Sequence, residues 1–287
     1  MRIDLHSHST CSDGKLSPAE LVARAVEKEV DVLALTDHDT IDGIALAQTA
    51  IHENNLPLFL VPGVEISCTW DAIEVHVVGL DIDTQNGVLT ALLARQEQAR
   101  TERGVELGRR LEKNRIPGCY EGALALAGDG MLTRAHFARY LVEQNHCKTM
   151  QNAFDRYLAR GARAYVPHNW ASIDEVVSVI HAAGGKAVLA HPQRYQLSAK
   201  WLKRLLVLFK EAGGDAIEVS LCQQSPQERS TLGQYCRDYG LMASVGSDFH
   251  VPLSWVELGK NLWLPKDVDP VWHAFSAFPD VPNGEEL

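Results

Sequence analysis

The chain has 287 residues, 46% hydrophobic and 22% charged, and its 27 Lys+Arg against 37 Asp+Glu leave a net charge of −10. That composition supports a sizeable core and excludes collagenous, disordered and disulfide-scaffold classes. No run of about 18 apolar residues occurs and Met1 is followed by the polar stretch Arg2 to Thr10, so neither a membrane span nor a secretory signal is expected, and the expected location is the cytoplasm.

Short β-branched or Leu-rich runs alternate with helical patterns over the first eighty residues. Arg2 to His6 reads as a strand, Ser17 to Glu29 as a helix, Val30 to Thr36 as a strand, Thr40 to Asn54 as a helix, Leu58 to Ser67 as a buried strand and Glu74 to Leu80 as another. Ser17, Pro18 and Glu20 supply a cap, a first-turn proline and an acid three residues on. The same grammar returns with a helix over Ile173 to Ala183, a strand over Ala187 to Ala190, a helix over Trp201 to Ala212, a strand over Ala216 to Ser220, a helix over Gln227 to Tyr239 and a strand over Met242 to Gly246. An α/β fold with a mostly parallel sheet, open or closed as a barrel, follows.

From about Thr84 to Arg163 helical patterns succeed one another without a convincing strand, broken at Ile116-Pro117-Gly118 and Gly128-Asp129-Gly130. The expected division is a barrel from 1–83 and 164–287, with a helical insertion at 84–163. From Thr84 to Tyr165 there are 13 Lys+Arg against 8 Asp+Glu, a balance of +5, which leaves −15 for the rest. A basic cap on an acidic scaffold is a clue to the sign of the substrate. Cys11, Cys68, Cys119, Cys147, Cys222 and Cys236 show no C-x-x-C spacing and read as free thiols.

The sharpest signal is where histidines and carboxylates fall. His6 and His8, at i and i+2, leave the same face of the first strand. Asp13 follows in the next loop, His38 lies just after the second strand, Glu65 near the end of the third and His76 in the fourth, while His191, Asp248 and His250 follow later strands. In a parallel barrel the carboxyl strand ends open onto one face, so nine ligand-type side chains are expected to converge. Six of the twelve histidines share this placement; His52, His136, His146, His168, His181 and His273 do not. Burying so many titratable groups without cations is costly. Three ions of four to five ligands each need about twelve to fifteen positions, which nine side chains, a bridging Glu65, a bridging hydroxide and substrate oxygens can fill. Nitrogen and oxygen donors without thiolate favour manganese, iron or zinc.

These residues resemble a known family. Asp4-Leu5-His6-Ser7-His8-Ser9, Thr36-Asp37-His38-Asp39, Pro62-Gly63-Val64-Glu65, Glu74-Val75-His76-Val77-Val78-Gly79, Ala190-His191-Pro192 and Gly246-Ser247-Asp248-Phe249-His250 are similar to the successive motifs of the PHP (polymerase and histidinol phosphatase) family. The resemblance implies a distorted seven-stranded β/α barrel and a trinuclear site. His6, His8, Glu65 and Asp248 would hold one metal, Glu65, His76 and His191 the second, and Asp13, His38 and His250 the third. Within the family, Thr36-Asp37-His38-Asp39-Thr40, His76 to Asp83, the helical insertion and Tyr165-Val166-Pro167 resemble the bacterial branch of nucleoside 3′,5′-bisphosphate phosphatases that also act as 5′ to 3′ exoribonucleases. Histidinol phosphatases usually lack this insertion.

The chemistry expected is phosphoester hydrolysis, a hydroxide bridging two metals attacking phosphorus in line with the leaving oxygen; no side chain is assigned as general acid. Arg100 and Arg103, at i and i+3, should share a helix face, and Arg134, with His136 two residues on, should open the next helix, where a guanidinium and backbone N–H groups suit a phosphate. Arg160 and Arg194 are further anchor candidates, and Tyr157, Trp170, Tyr195 and Trp255 are base-stacking candidates. A nucleotide bisphosphate such as pAp, or short 5′-phosphorylated RNA, is the expected partner, with no membrane and no stable protein partner implied. The alternatives are a phosphatase for another small ester, a metal-dependent amide or lactone hydrolase, and a non-catalytic metal-holding module.

Overall fold

A computed structural model describes residues 1–279. Among the described residues there are eight strands: β1 (Ile3–Asp4), β2 (Val32–Leu35), β3 (Phe59–Trp70), β4 (Ile73–Leu80), β5 (Ala171–Ser172), β6 (Lys186–Leu189), β7 (Ala216–Ser220) and β8 (Met242–Val245). Their order across the sheet is β1-β2-β3-β4-β6-β7-β8, with the two-residue β5 beside the far end of β3. Leu5 N donates to Val245 O at 3.1 Å and Ser7 bridges Phe249. These contacts bring the last strand back to the first, giving a nearly closed barrel of seven strands.

The barrel helices are α1 (Pro18–Glu27), α2 (Asp42–Glu53), α7 (Ile173–Ala182), α8 (Ala199–Glu211) and α9 (Pro226–Tyr239), and between β4 and β5 run α3 (Gly87–Lys113), α4 (Cys119–Ala127), α5 (Arg134–Glu143) and the single turn α6 (Met150–Ala153). The reciprocal cap at the start of α1 forms as its sequence suggests: Ser17 Oγ accepts from Glu20 N while the Glu20 carboxylate accepts from Ser17 N. Strand residues such as Val32, Ala34, Val64, Ile66, Val77 and Val188 pack into one buried cluster with the inner faces of α7 and α8. No helix among the described residues is long and apolar enough to cross a membrane.

One departure from the expected topology shapes everything above the barrel. β4 is antiparallel to both its neighbours, β3 and β6. β3 therefore does not stop at Ser67: it continues to Trp70 and turns back through Asp71 and Ala72, both at positive φ. A tight hairpin needs no crossover helix, and periodicity along either strand is the same for both directions.

The 27-residue α3 spans two cores. Leu89, Leu92 and Leu93 belong to the barrel cluster, while Leu107 and Leu111 belong to a second cluster with Ile116, Phe137, Leu141 and Leu158. Glycines let the helices of this second cluster approach closely. A Cβ built at Gly108 would lie 2.6 Å from Tyr120 Cβ, an atom next to the backbone of α4 that cannot swing aside. Gly108→Ala is expected to destabilise the protein by about 1–3 kcal/mol, read as a lowered urea midpoint; an unchanged midpoint would show that the seam between α3 and α4 is looser than these distances.

Candidate metal centre

The loops and strands around the barrel mouth gather the nine side chains named from sequence. His6 and His8 leave the extension of β1 on the same side, and their Nε2 atoms face each other at 3.1 Å. His6 Nε2 lies 3.2 Å from Glu65 Oε2 and 3.5 Å from Asp248 Oδ1, and His8 Nε2 lies 3.3 and 3.1 Å from the same two oxygens. His38 Nδ1 is 3.0 Å from Glu65 Oε2. On the other oxygen of Glu65, Oε1, His76 Nδ1 and His191 Nε2 each stand at 2.9 Å. Asp13 Oδ1 lies 3.2 Å from His250 Nε2 and 3.9 Å from His38 Nε2.

Three groups emerge in which single donor atoms lie within 4.8 Å of one another: His6, His8, Glu65 and Asp248; His8, Asp13, His38 and His250; and His38, Glu65 and His76. The first has the same members as the set implied by the family resemblance. In the second group His8 joins Asp13, His38 and His250, and in the third His38 stands with Glu65 and His76, while His191 reaches the same carboxylate by its 2.9 Å contact.

His76 arrives from an unexpected direction. The placement of every ligand at a carboxyl strand end does not hold, because β4 runs the other way and His76 sits in its amino-terminal half, opposite Ser67 of β3. Glu65, likewise, lies in the middle of β3 rather than near its end. Antiparallel pairing carries both side chains to the same mouth of the barrel.

The residues fit divalent cations on their own chemistry. Glu65 Oε2 has three imidazole nitrogens within 3.3 Å, yet it makes no hydrogen bond, and Asp13 Oδ1, His8 Nδ1, His38 Nδ1 and His191 Nδ1 are also buried without one. Buried polar atoms are almost always paired, so orphaned carboxylate oxygens on Glu65 and Asp13, each with imidazole nitrogens beside it, fit a missing positive partner. The electrostatics agree. Burial opposes charge on His76, but Glu65 outweighs it and pushes the imidazole up to about 10; burial likewise opposes charge on His250, which Asp13 and Asp248 raise to about 9. Burial alone would raise the Glu65 carboxyl, but His38, His6 and His76 hold it well below the usual range. Burial instead pushes His8 and His38 below the usual imidazole range, whereas at His76 and His250 the acids create a field that a bound cation would neutralise, displacing protons as it entered. The site is built for divalent metal.

Sequence reading missed the groups that hold the ligands in place. Glu218, the one charged side chain in the buried Ala216–Ser220 strand, accepts from His6 Nδ1 at 2.6 Å and from His191 N at 2.5 Å. A carboxylate behind a ligand histidine fixes its tautomer and orientation; the available signal was a charge inside a fully buried strand. His191, Asp248 and Asp39 all have positive φ, at 30°, 51° and 52°, a strained region for non-glycine residues. Backbone bonds hold them there, His191 N to Glu218, Asp248 N to His6 O and Asp39 N to Glu65 O. Gly246 has no room for a side chain, since a Cβ would meet His6 Cβ at 2.3 Å. Glu218→Gln is expected to weaken metal binding about 10–100-fold with the fold retained, measured by equilibrium dialysis beside circular dichroism; undiminished affinity would deny Glu218 this orienting role.

The basic candidates separate sharply. Gln96, Arg100 and Arg103 line one face of α3 where it crosses from the barrel core to the second cluster. Arg100 is already occupied: its Nε and Nη2 donate to Asp39 Oδ2 at 2.8 and 2.5 Å and Nη2 to Ser67 Oγ at 2.9 Å. Arg103 donates Nε to Val166 O and lies 3.6 Å from Glu74, but its buried Nη2 has no partner, and burial lowers its pKa to about 10. Trp170 lies under both guanidiniums, at 5.1 and 5.4 Å, with its own Nε1 unpartnered. Arg134 opens α5 and pairs with Glu74 at 2.9 Å, and Glu74 in turn stands 3.7 Å from His76 Nε2. His136 serves locally, its Nδ1 accepting from Thr133 N in a capping box; burial takes its pKa down to about 4, so it is a neutral ring. Thr133 also donates to Asp13 Oδ2 at 2.9 Å, docking the start of α5 onto the metal cluster. Arg194 pairs with Asp248. Arg160 is exposed and makes none of these contacts. Of the aromatics, Tyr157 is buried in the second cluster, Tyr195 is held by Ala190 O and His76 N, and Trp255 is exposed.

The barrel and its histidine-rich mouth place the chain in a defined class, and it belongs to the PHP domain family, whose model matches residues 4–219. Among its relatives, the 5′-3′ exoribonuclease Rnm of Escherichia coli (strain K12) is 54% identical over 269 residues, covering 94% of this chain and 92% of that protein. The 3′,5′-nucleoside bisphosphate phosphatase of Chromobacterium violaceum is 40% identical over 277 residues, 96% of each chain. A solved structure from Chromobacterium violaceum, described as an amidohydrolase with bound sulfate and no metal, superimposes with a TM-score of 0.89 at 40% identity over 95% of both chains.

Proposed function

We propose that the chain is a metal-dependent phosphoesterase that removes the 3′-phosphate of nucleoside 3′,5′-bisphosphates such as pAp, giving AMP, and that also trims short 5′-phosphorylated RNA in the 5′ to 3′ direction. The observation that carries the proposal is the pairing of a cation-binding cluster around Glu65 with a basic wall, Arg103 and Arg134, across Glu74 and beside His76. The naming of relatives as phosphatase and exoribonuclease supports the same reading.

Three divalent ions are proposed, manganese first and iron or zinc next, held by His6, His8, Asp13, His38, Glu65, His76, His191, Asp248 and His250. Bound there, they would make a hydroxide nucleophile available at neutral pH and offset charge building on the phosphoryl oxygens. The protein's own groups do the rest. Glu218 fixes His6, the strained backbone at His191 and Asp248 aims those ligands inward, and Arg194 beside Asp248 adds positive charge at the cleft edge. Residues 84–163 form the proposed substrate cap, whose Arg103 and Arg134 would take a second phosphate, the unpartnered Arg103 Nη2 and Trp170 Nε1 being donors in search of an acceptor. Arg100 serves this wall indirectly by anchoring α3 to Asp39.

The test is phosphate release from pAp, AMP and histidinol phosphate by manganese-loaded protein. Preferential release from pAp is expected; preference for either monophosphate would defeat the reading.

A further inference from the structure

The segment that follows His191 carries a feature that a mononucleotide does not use. Between residues 191 and 210 stand five basic side chains, Arg194, Lys200, Lys203, Arg204 and Lys210, and no acidic one, in a chain whose net charge is −10. In a β/α barrel a helix begins on the face where the preceding strand ends, so the first turns of α8 stand at the rim of the metal-bearing mouth. Lys200, Trp201, Lys203 and Arg204 are all exposed there.

Trp201 is 41% exposed, and it is held in a fixed pose. Its ring meets Trp70 edge-on with centroids 5.7 Å apart, and the Arg204 guanidinium lies 5.0 Å from its centroid, itself 3.4 Å from Asp71 at the tip of the β3–β4 hairpin. Trp70 lies on the strand that carries Glu65, five residues further on, or about 17 Å at strand spacing. A nucleotide held at Glu65 does not bridge that distance, but the chain attached to it does.

We propose that this rim is a track for single-stranded RNA: with the 5′ end in the metal cleft, the 3′ continuation passes over α8, one base stacking on Trp201 and backbone phosphates meeting Lys200 and Arg204. An exposed indole among cations in an otherwise acidic protein has the composition of a single-strand stacking platform, and paired RNA would offer Trp201 no free base face. The inference rests on the exoribonuclease half of the proposed function.

The test is anisotropy of a 5′-phosphorylated, fluorescein-labelled octauridylate, protected by methylphosphonates at its first linkages, with manganese-loaded protein. Trp201→Ala is expected to weaken binding about tenfold, with Trp201→Phe restoring part of it. Lys200→Ala/Arg204→Ala should reduce the slope of log affinity against log salt by about 1.4. Hydrolysis of pAp should be unchanged in each variant. Octamer binding that is insensitive to Trp201→Ala, an equal loss on pAp, or a wild type that binds the octamer no better than a dinucleotide would each overturn the track. Trp201-dependent binding by a protein that releases no phosphate from pAp would sustain the track while refuting the proposed function.

Discussion

Glu65→Gln is expected to empty most of the metal centre and to lower turnover of pAp by at least about a thousandfold. Glu65 belongs to two of the three donor groups, and its two oxygens face different imidazoles: Oε2 towards His6, His8 and His38, Oε1 towards His76 and His191. A neutral amide keeps the shape but removes the charge that would let one side chain serve both donor groups. Several kcal/mol of charge stabilisation in the transition state is lost with the ions, each 1.36 kcal/mol being tenfold in rate. Elemental analysis should show metal loss alongside the activity loss. A variant that kept its full metal complement and turnover would show that Glu65 is a bystander and that the donor groups act separately.

The second large effect is expected from Arg134→Ala, in binding and not in metal content. Arg134 lies at the first position of α5 and contacts Glu74, which is not one of the nine proposed ligands. A charged hydrogen bond to phosphate is worth about 1.5–3 kcal/mol, so KM for pAp should rise about 10–150-fold with kcat changed far less, the pattern of an anchor remote from the reacting bond. Activity on a 3′-monophosphate, which lacks the second phosphate, should hardly move. Equal losses on both substrates would relocate Arg134 from substrate binding to support of the fold.

Strand ends told where the ligands would be, because a β/α pattern brings those ends together whatever the loops do. Direction was hidden: β4 looks the same read forwards or backwards, so the arrival of His76 from an antiparallel strand could not be anticipated. Roles set by a partner distant in sequence were hidden too. The i, i+3 spacing puts Arg100 and Arg103 on one face, but only the fold shows that Asp39 occupies the first and leaves the second with a free nitrogen. The capping role of His136 was hidden as well, since capping depends on backbone geometry at Thr133. Glu218, the brace behind His6, gave a signal that was visible but easily passed over: a lone charge within a buried strand.

Helix α3 has one further consequence. It is anchored at its beginning in the barrel core and at its end in the second cluster, with Gln96, Arg100 and Arg103 between them, and a continuous helix of this kind resists compression along its axis. Arg103, on that helix, is thus held at a fixed spacing from the barrel that carries Glu65. A ligand that reached from the one to the other would have to match that spacing.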